Sequence, residues 1–212
     1  MVSMQTLLNS LVTIPGKFAE GAELNLKTAA ATLDVPPRSV RMMLESGVLP
    51  DLKSARVIEM SKRGVLVSSG GKQPILRTGV SSIDEETNRR IGYSADMSDS
   101  EVVEGNRQWW RADPDRIIAA YYLPVSIGGF NAALLGIDGL EESVRVDVAD
   151  KNGKPGKEVR HSFQAHLIAR YDGKTGQIVM AQDNPPVEDG VYAHAVLGRF
   201  QRSVSGGPIA YL

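Results

Sequence analysis

The side chains best suited to chemistry in this chain lie at the start of a predicted helix. Arg38, Ser39, Arg41 and Met42 follow two consecutive prolines, which are favoured at the first positions of a helix. An arginine can donate paired hydrogen bonds to guanine, and the amides at a helix N-terminus can hold a phosphate. We therefore expect these four residues to contact the major groove of duplex DNA. The alternative is an ordinary helical hairpin whose arginines are solvated.

Two short helices and a tight turn must position these residues. The first helix is predicted from Lys27 to Leu33, Asp34 and Val35 make the turn, and Gly47 closes the second helix. The residues expected to face inward are Ala29, Ala30, Leu33, Val35, Val40 and Met43. The pattern resembles the helix-turn-helix motif of winged-helix and excisionase-type DNA-binding domains. Asp34 stands where that turn often has glycine, and aspartate tolerates a left-handed backbone.

Composition limits the classes of function. The chain has 212 residues, of which 42% are hydrophobic and 23% are charged, as in ordinary globular proteins. The lack of cysteine excludes disulfides, zinc–thiolate sites and thiol catalysis. No apolar run approaches the ~20 residues of a membrane helix, and the N-terminus lacks the features of a signal peptide. We therefore expect a cytoplasmic protein without membrane contact.

Charge is distributed unevenly along the chain. The net charge is −1, which argues against unselective coating of nucleic acid. Residues 1–72 hold nine Lys/Arg against six Asp/Glu, and residues 73–212 hold fifteen against nineteen. A mildly basic first third favours DNA contact near the N-terminus.

A stretch of small residues divides the chain into two predicted domains. Small residues at 68–72 (SSGGK) interrupt the periodic pattern, which predicts a helix-turn-helix domain over residues 1–71 and a second domain over residues 72–212. In the first domain we also predict helices at 4–13 and from Leu52 to Lys62, and a wing-like strand from Val65 to Ser68. The helix at 4–13 would either contact a second copy in a homodimer or pack within its own domain.

The second domain is predicted to be a small mixed β-barrel with flanking helices, which makes the chain α+β. Asn-Gly and Asp-Gly turns between strand-like segments favour antiparallel hairpins. Residues 84–104 are polar, and a capping box begins a helix at Ser98. Further helices are predicted at Pro114–Tyr121 and at 188–201. Strands are predicted at Ile75–Thr78, Leu123–Ile127, Asn131–Ile137, Ser143–Val148, His161–Tyr171 and Gln177–Ala181.

The order of motifs in the second domain resembles a known family. The motifs are Asn106 to Arg111 (NRQWWR), a hydrophobic hairpin from Val125 to Ile137, Arg160 to Ala165 (RHSFQA), and Gly207 to Tyr211 (GPIAY). In this order they resemble the PUA-like domains found beside nuclease domains in bacterial restriction-type and GIY-YIG proteins. The wider superfamily includes SRA, EVE, ASCH and YTH domains. The residues that match the family pattern are Arg107, Trp110, Arg160 and Phe163.

This resemblance implies a compact barrel with a pocket for a nucleobase, often a modified one, that is turned out of its helix. The candidate aromatic walls are Trp109, Trp110, Tyr121 and Tyr122. The candidate phosphate contacts are Arg107, Arg111 and Arg160. The alternative for the tryptophans is a place at the edge of the core, and Phe130 and Phe163 are predicted to be core residues. The lysines at 151–157 form either a solvated hairpin tip or a phosphate contact.

No pattern of residues indicates catalysis, a metal or a cofactor. His161 and His166 lie five apart on a predicted strand, where odd spacing sends them to opposite faces. Asp147 and Asp150 lack the lysine spacing of a metal-dependent nuclease. Nucleophile motifs and glycine-rich phosphate loops are absent. We therefore expect no metal or cofactor and favour a protein without catalytic activity.

Three functions remain open. The leading hypothesis is a DNA-binding protein in transcription regulation or in phage or restriction defence, which docks on duplex DNA and reads a base, a modification or a partner through its second domain. The first alternative is a regulator whose barrel binds a small molecule or a protein. The second alternative is an enzyme acting on nucleic acid, with a site that the sequence does not reveal.

Overall fold

The computed structural model describes residues 21–66, 73–85, 87–149, 155–201 and 207–211. Helices and strands both occur in this part of the chain, so the predicted α+β class is confirmed. The described helices are α1 (Leu26–Leu33), α2 (Pro37–Glu45), α3 (Ser54–Ser61), α4 (Asp99–Asn106), α5 (Pro114–Ala120) and α6 (Val187–Val196). None of them is long and apolar enough to cross a membrane. The helix predicted at 4–13 falls outside the described residues.

Local interactions explain the first two helices. The Asn25 side chain caps α1 by accepting a hydrogen bond from the Thr28 amide (2.9 Å). Asp34 ends α1 in the left-handed conformation (φ 53°), as the turn requires. Pro36 and Pro37 then begin α2. α1 packs on α2 and on α3, and apolar residues of the three helices are buried, namely Ala29, Ala30, Leu33, Val40, Met43 and Val57.

Most of the strands join in one sheet. The strands are β1 (Val65–Leu66), β2 (Pro74–Thr78), β3 (Ser82–Asp84), β4 (Arg89–Ile91), β5 (Tyr122–Ile127), β6 (Phe130–Ala149), β7 (Pro155–Tyr171), β8 (Ile178–Met180), β9 (Phe200–Gln201) and β10 (Ile209–Tyr211). The sheet has the order β1-β9-β6-β5-β2-β10, while β7 pairs with β6 and with β8. β3 and β4 form a separate antiparallel hairpin. Among the described residues no pairing joins β8 to β10, so the closed barrel stays a prediction.

The longest feature is the antiparallel hairpin of β6 and β7. Its ladder runs from Ala133 opposite Arg170 to Ala149 opposite Pro155. The register between the two strands shifts at Asp138 and again at Glu141. Each of these residues has no partner opposite it on β7, so each is the extra residue of a bulge. The sequence predicted these strands as shorter, separate segments. Polar residues interrupt the strand-like pattern at places where the ladder continues.

One hydrophobic core joins the helices to the sheet. Met43 of α2 and Val57 of α3 belong to the same buried cluster as Phe130 and Phe163 of the sheet, which confirms both phenylalanines as core residues. A second cluster, around Leu134, lies under α6.

Polar contacts also join the helical part to the turn after β7. The Arg56 guanidinium donates to the carbonyl oxygens of Gly173 (2.7 Å) and Lys174 (2.9 Å). Gly173 lies so close to the backbone of Val48 that a Cβ atom there would be 2.3 Å from the Val48 oxygen. The boundary predicted between residues 71 and 72 lies outside the described residues, and the division into domains stays a prediction.

One prediction of secondary structure was wrong at its end, and one strand was not predicted. The helix expected over 188–201 ends at Val196, because Gly198 has a left-handed backbone (φ 71°) and Phe200 pairs as β9 with β1. The polar stretch 84–104 contains β4 as well as a helix, because pairing with β3 stabilises a strand that its composition does not indicate. The strand expected after α3 is present as β1, but its partner is β9 rather than a neighbouring wing strand.

The approach of Gly173 to Val48 predicts the effect of adding one methyl group. Gly173→Ala should lower the free energy of unfolding by about 1–3 kcal/mol, because the Val48 carbonyl must move. Urea denaturation of the full chain measures this. Gly79→Ala is the matched control, because a Cβ there has no atom within 4 Å. Equal stability of the two variants would show that the turn does not pack tightly on the helical part.

Candidate nucleic-acid interface

The surface of α2 presents two arginines. Arg38 and Arg41 are exposed, and their three-residue spacing places them on the same side of the helix. Among the residues that the structure describes, none forms an ion pair with either guanidinium. Both groups are therefore available to an anionic partner.

The other two predicted contacts on α2 take part in packing. Ser39 is half-buried against the turn between β5 and β6, where a Cβ on Gly128 would lie 2.7 Å from the Ser39 oxygen. Met42 is half-buried and packs against the core. These contacts fix α2 on the sheet, and the contact of Ser39 and Met42 with DNA stays a prediction.

In the second predicted domain, Arg107 is held by carboxylates. Its guanidinium forms ion pairs with Glu104 (3.0 Å) and with Glu141, and it also donates to the Phe163 carbonyl (3.3 Å). Its side chain is only 16% exposed. The bulge at Glu141 aims that carboxylate at Arg107 and at the hydroxyl of Ser162 (2.7 Å). Arg107 is thus neutralised and mostly covered where the PUA-like resemblance implies a phosphate contact.

Trp110 extends the sheet. Its amide donates to the His161 carbonyl (2.9 Å), and the His161 amide donates back to the Trp110 carbonyl (3.0 Å). Its indole N–H donates to the carbonyl of Asn106 (3.1 Å), and the ring packs against the core. This arrangement holds the segment around Trp110 along β7 and occupies the polar edge of the ring. Trp109, the neighbouring candidate, is half-buried.

Arg111 and Arg160 meet at a shared carboxylate. Glu158 lies 3.4 Å from Arg111 and 2.9 Å from Arg160. Arg111 is 78% exposed and Arg160 is 42% exposed, so both keep contact with solvent. The structure therefore brings together two of the predicted phosphate contacts beside Trp110, with one negative charge between them.

The predicted aromatic walls Tyr121 and Tyr122 lie on the other face of the sheet, near α6. Tyr122 stacks on Tyr192 (ring centroids 4.0 Å apart) and donates a hydrogen bond to Asp189 (2.9 Å). Burial, followed by this hydrogen bond, raises the pKa of Tyr122. Tyr121 packs edge-on against Tyr122 (4.8 Å) and has a left-handed φ of 61°, which is uncommon for a residue with a side chain. The rings of Tyr121, Tyr122 and Tyr192 therefore form one contacting group.

His166, to which the sequence analysis gave no role, lies beside Tyr121. Nδ1 of His166 is 2.9 Å from Asp138, and its Nε2 is 3.5 Å from the Tyr121 hydroxyl. The imidazole ring lies directly over Gly136, where a Cβ would be 2.6 Å from it. A carboxylate can only accept a hydrogen bond from Nδ1–H, and this contact orients the imidazole ring. The bulge at Asp138 creates this contact, and no spacing in the sequence reveals it.

Little else in the described residues suggests a metal or catalytic site. No group of three or more His, Asp or Glu side chains there is arranged to hold a metal ion. His161 contacts Ser143 (2.8 Å), on a different part of the ladder from His166. Asp147 is exposed, and its partner in the nuclease pattern, Asp150, lies outside the described residues together with Lys151 and Lys154.

The contact of Glu141 with Ser162 and Arg107 predicts a dependence of stability on pH. The Ser162 hydroxyl, followed by the Arg107 guanidinium, lowers the pKa of Glu141. Its charge should therefore stabilise the fold fully above its ordinary pKa of 4.5 and lose that effect as pH falls through the lower folded value. Glu141→Gln should lower the melting temperature at pH 7, and this difference should disappear near pH 2.

Glu142→Gln is the matched control for this measurement. Glu142 is exposed and forms no ion pair with a described residue, yet the change removes the same charge. Thermal unfolding followed by circular dichroism at both pH values compares the two variants. A Glu141→Gln protein that melts like Glu142→Gln at pH 7 would contradict the proposed stabilisation.

Comparison with known proteins gives no family for this chain. No family model, no curated protein and no solved structure matches it. Any function must therefore be argued from the residues and their geometry. The helix-turn-helix and PUA-like resemblances depend on the motifs of this sequence alone.

Proposed function

We propose that the chain binds duplex DNA through α2, as a helix-turn-helix protein. The observation that carries this proposal is the pair of exposed arginines, Arg38 and Arg41, on one side of a helix whose other side is buried. The left-handed Asp34 supplies the sharp turn between α1 and α2 that such a motif needs. In this interpretation α2 enters the major groove, and the arginines contact base edges or phosphates.

The electrostatics of α2 support an anionic partner. The first turn of the helix contains no acidic residue, and no side chain caps its amides. The positive end of the helix dipole therefore adds to the charge of Arg38. The excess of basic residues in the first third of the sequence acts in the same direction.

The packing of α2 supports recognition of a defined site. Val40 and Met43 are fully buried, and the Ser39 backbone is in contact with the turn at Gly128. A helix held on two sides presents its arginines in a fixed geometry, which lowers the entropic cost of binding. The proposed interface therefore depends on the whole fold, and its tests use the full chain.

The second part of the proposal concerns the sheet. By its resemblance to PUA-like domains, we propose that this region reads a flipped or modified base in DNA, in transcription regulation or in phage or restriction defence. Trp109, Arg111 and Arg160 are the residues that support it. Arg111 and Arg160 stay exposed beside Glu158, whereas Arg107 is mostly covered and the indole N–H of Trp110 has a partner within the fold. A base stacked on Trp109 would have its phosphates near Arg111.

The contribution of α2 can be measured by fluorescence anisotropy with duplex DNA over a range of salt concentrations. Arg38→Ala and Arg41→Ala should each weaken binding by ~1–3 kcal/mol if the arginine contacts guanine. If an arginine contacts a phosphate instead, its removal should also reduce the slope of log affinity against log salt by about 1.

Lys174→Ala is the matched control, because it removes one exposed positive charge that lies outside α2, in the turn after β7. It should leave the affinity nearly unchanged. Equal effects of Lys174→Ala and the two arginine variants would indicate unselective attraction to charge. Unchanged affinity in all three variants would reject α2 as the interface.

If this region reads a modified base, Trp109 should contribute to the binding of modified DNA only. Trp109→Ala should weaken binding to duplexes with modified cytosine by ~1–3 kcal/mol, because stacking on the base is lost. It should not change binding to unmodified duplex of the same sequence. Titrations of both duplexes measure the difference, and thermal unfolding checks that the variant is folded. The same loss on both duplexes would contradict base reading at this residue.

A further inference from the structure

One edge of β6, the outer edge, has no partner among the described residues over the second half of the strand. β5 pairs with β6 only as far as Gly136, and the amide of Ile137 makes the last contact, with the Tyr121 carbonyl. β7 continues along the opposite edge of β6 as far as Ala149. No described strand lies along the outer edge from Asp138 to Ala149. Beyond the second bulge, residues 142–149 form a regular ladder with β7.

Such an edge offers a row of free N–H and C=O groups to another strand. Natural proteins often block edges with proline, bulges or lysine, and residues 142–149 (ESVRVDVA) contain none of these. A two-stranded hairpin is also only marginally stable in water by itself. A third strand along this edge would satisfy the backbone groups and stabilise the hairpin.

The side chains of this edge alternate in a regular way. Val144, Val146 and Val148 are half-buried on one face, while Arg145 and Asp147 are exposed on the other. Among the described residues, no ion pair of 4 Å or less involves Arg145 or Asp147. Opposite them on β7 lie Val159 and Lys157, respectively. Arg145 therefore has no oppositely charged neighbour across its own hairpin.

We propose that two copies of the chain associate by antiparallel pairing of their β6 edges, with Val146 on the two-fold axis. In this register Arg145 of each copy lies opposite Asp147 of the other, and Val144 lies opposite Val148. The interface is self-complementary, as two-fold symmetry requires. Over residues 144–148 it combines three valine pairs with two pairs of opposite charges.

The charges select this register over its neighbours. An axis at Arg145 would place the two copies of that arginine opposite each other, and an axis at Asp147 would do the same with the aspartates. Like charges directly opposite each other destabilise a strand pair. An axis between two residues would place valines opposite charged residues. The sequence Val-Arg-Val-Asp-Val is thus complementary to itself only around Val146.

Charge reversal tests the proposal in the full chain. Size-exclusion chromatography with light scattering, over a range of concentrations, should show a dimer. Arg145→Glu and Asp147→Arg should each raise the dissociation constant at least about tenfold, because each creates like-charge pairs. An equimolar mixture of the two variants should associate again, since every charge then has an opposite partner. The double variant R145E/D147R should also restore the dimer.

A cysteine on the axis gives a test that does not depend on charge. The chain has no cysteine. Antiparallel partners have Cα atoms ~4.5–5.5 Å apart, within the range for a disulfide. Val146→Cys should therefore form a disulfide-linked dimer under mild oxidation. Val148→Cys is the matched control, because its two copies would lie about 13 Å apart along the strands.

Several results would overturn the proposal. A full chain that stays monomeric at about 100 µM would exclude a dimer of useful affinity. A dimer that is insensitive to Arg145→Glu would exclude this register, since Arg145 faces an uncharged valine in its own hairpin and its reversal should not disturb the fold. Equal cross-linking of Val146→Cys and Val148→Cys would indicate random collision. Circular dichroism confirms that each variant is folded.

Discussion

The antiparallel ladder between β6 and β7 determines where most other parts of the molecule lie. β5 pairs along one edge of β6, β8 and the Trp110 segment pair along the outer edge of β7, and α2 rests on the turn that leads into β6. The bulges at Asp138 and Glu141 also direct carboxylates to specific partners, Asp138 to His166 and Glu141 to Arg107. A change of register by one residue would therefore move side chains on both faces at once.

Local signals in the sequence predicted local structure well. The αL turn at Asp34, the prolines at the start of α2 and the capping box at Ser98 depend on neighbouring residues, and each is present. The sequence did not predict the partner of β1 or the contact of His166 with Asp138, because these depend on registers set between distant segments. Of the candidate site, it predicted the exposed Arg38 and Arg41 but not the carboxylates that neutralise Arg107.

The two surfaces proposed for interaction lie at opposite ends of one hairpin. α2 contacts the turn at Gly128, just before β6, whereas the unpaired edge is centred on Val146. At about 3.3 Å per residue, the length of β6 separates them by several tens of ångströms. Binding through α2 and self-association through β6 would therefore use different residues and could occur together. In a dimer the two copies of α2 would be far apart, which favours widely spaced half-sites over adjacent ones.

The pairing of β1 with β9 and of β2 with β10 has a consequence for protein synthesis. β1 and β2 lie on either side of the link between the helical part and the sheet, yet their partners are the last strands of the described chain. On the ribosome, β1 stays without β9 until Gln201 has emerged, and β2, which also pairs with β5, gains its second partner only after Tyr211. The helices can form early, but their attachment to the sheet is completed late. A nascent chain truncated before Phe200 would leave β1 and β2 without these partners, although it contained every residue of α2.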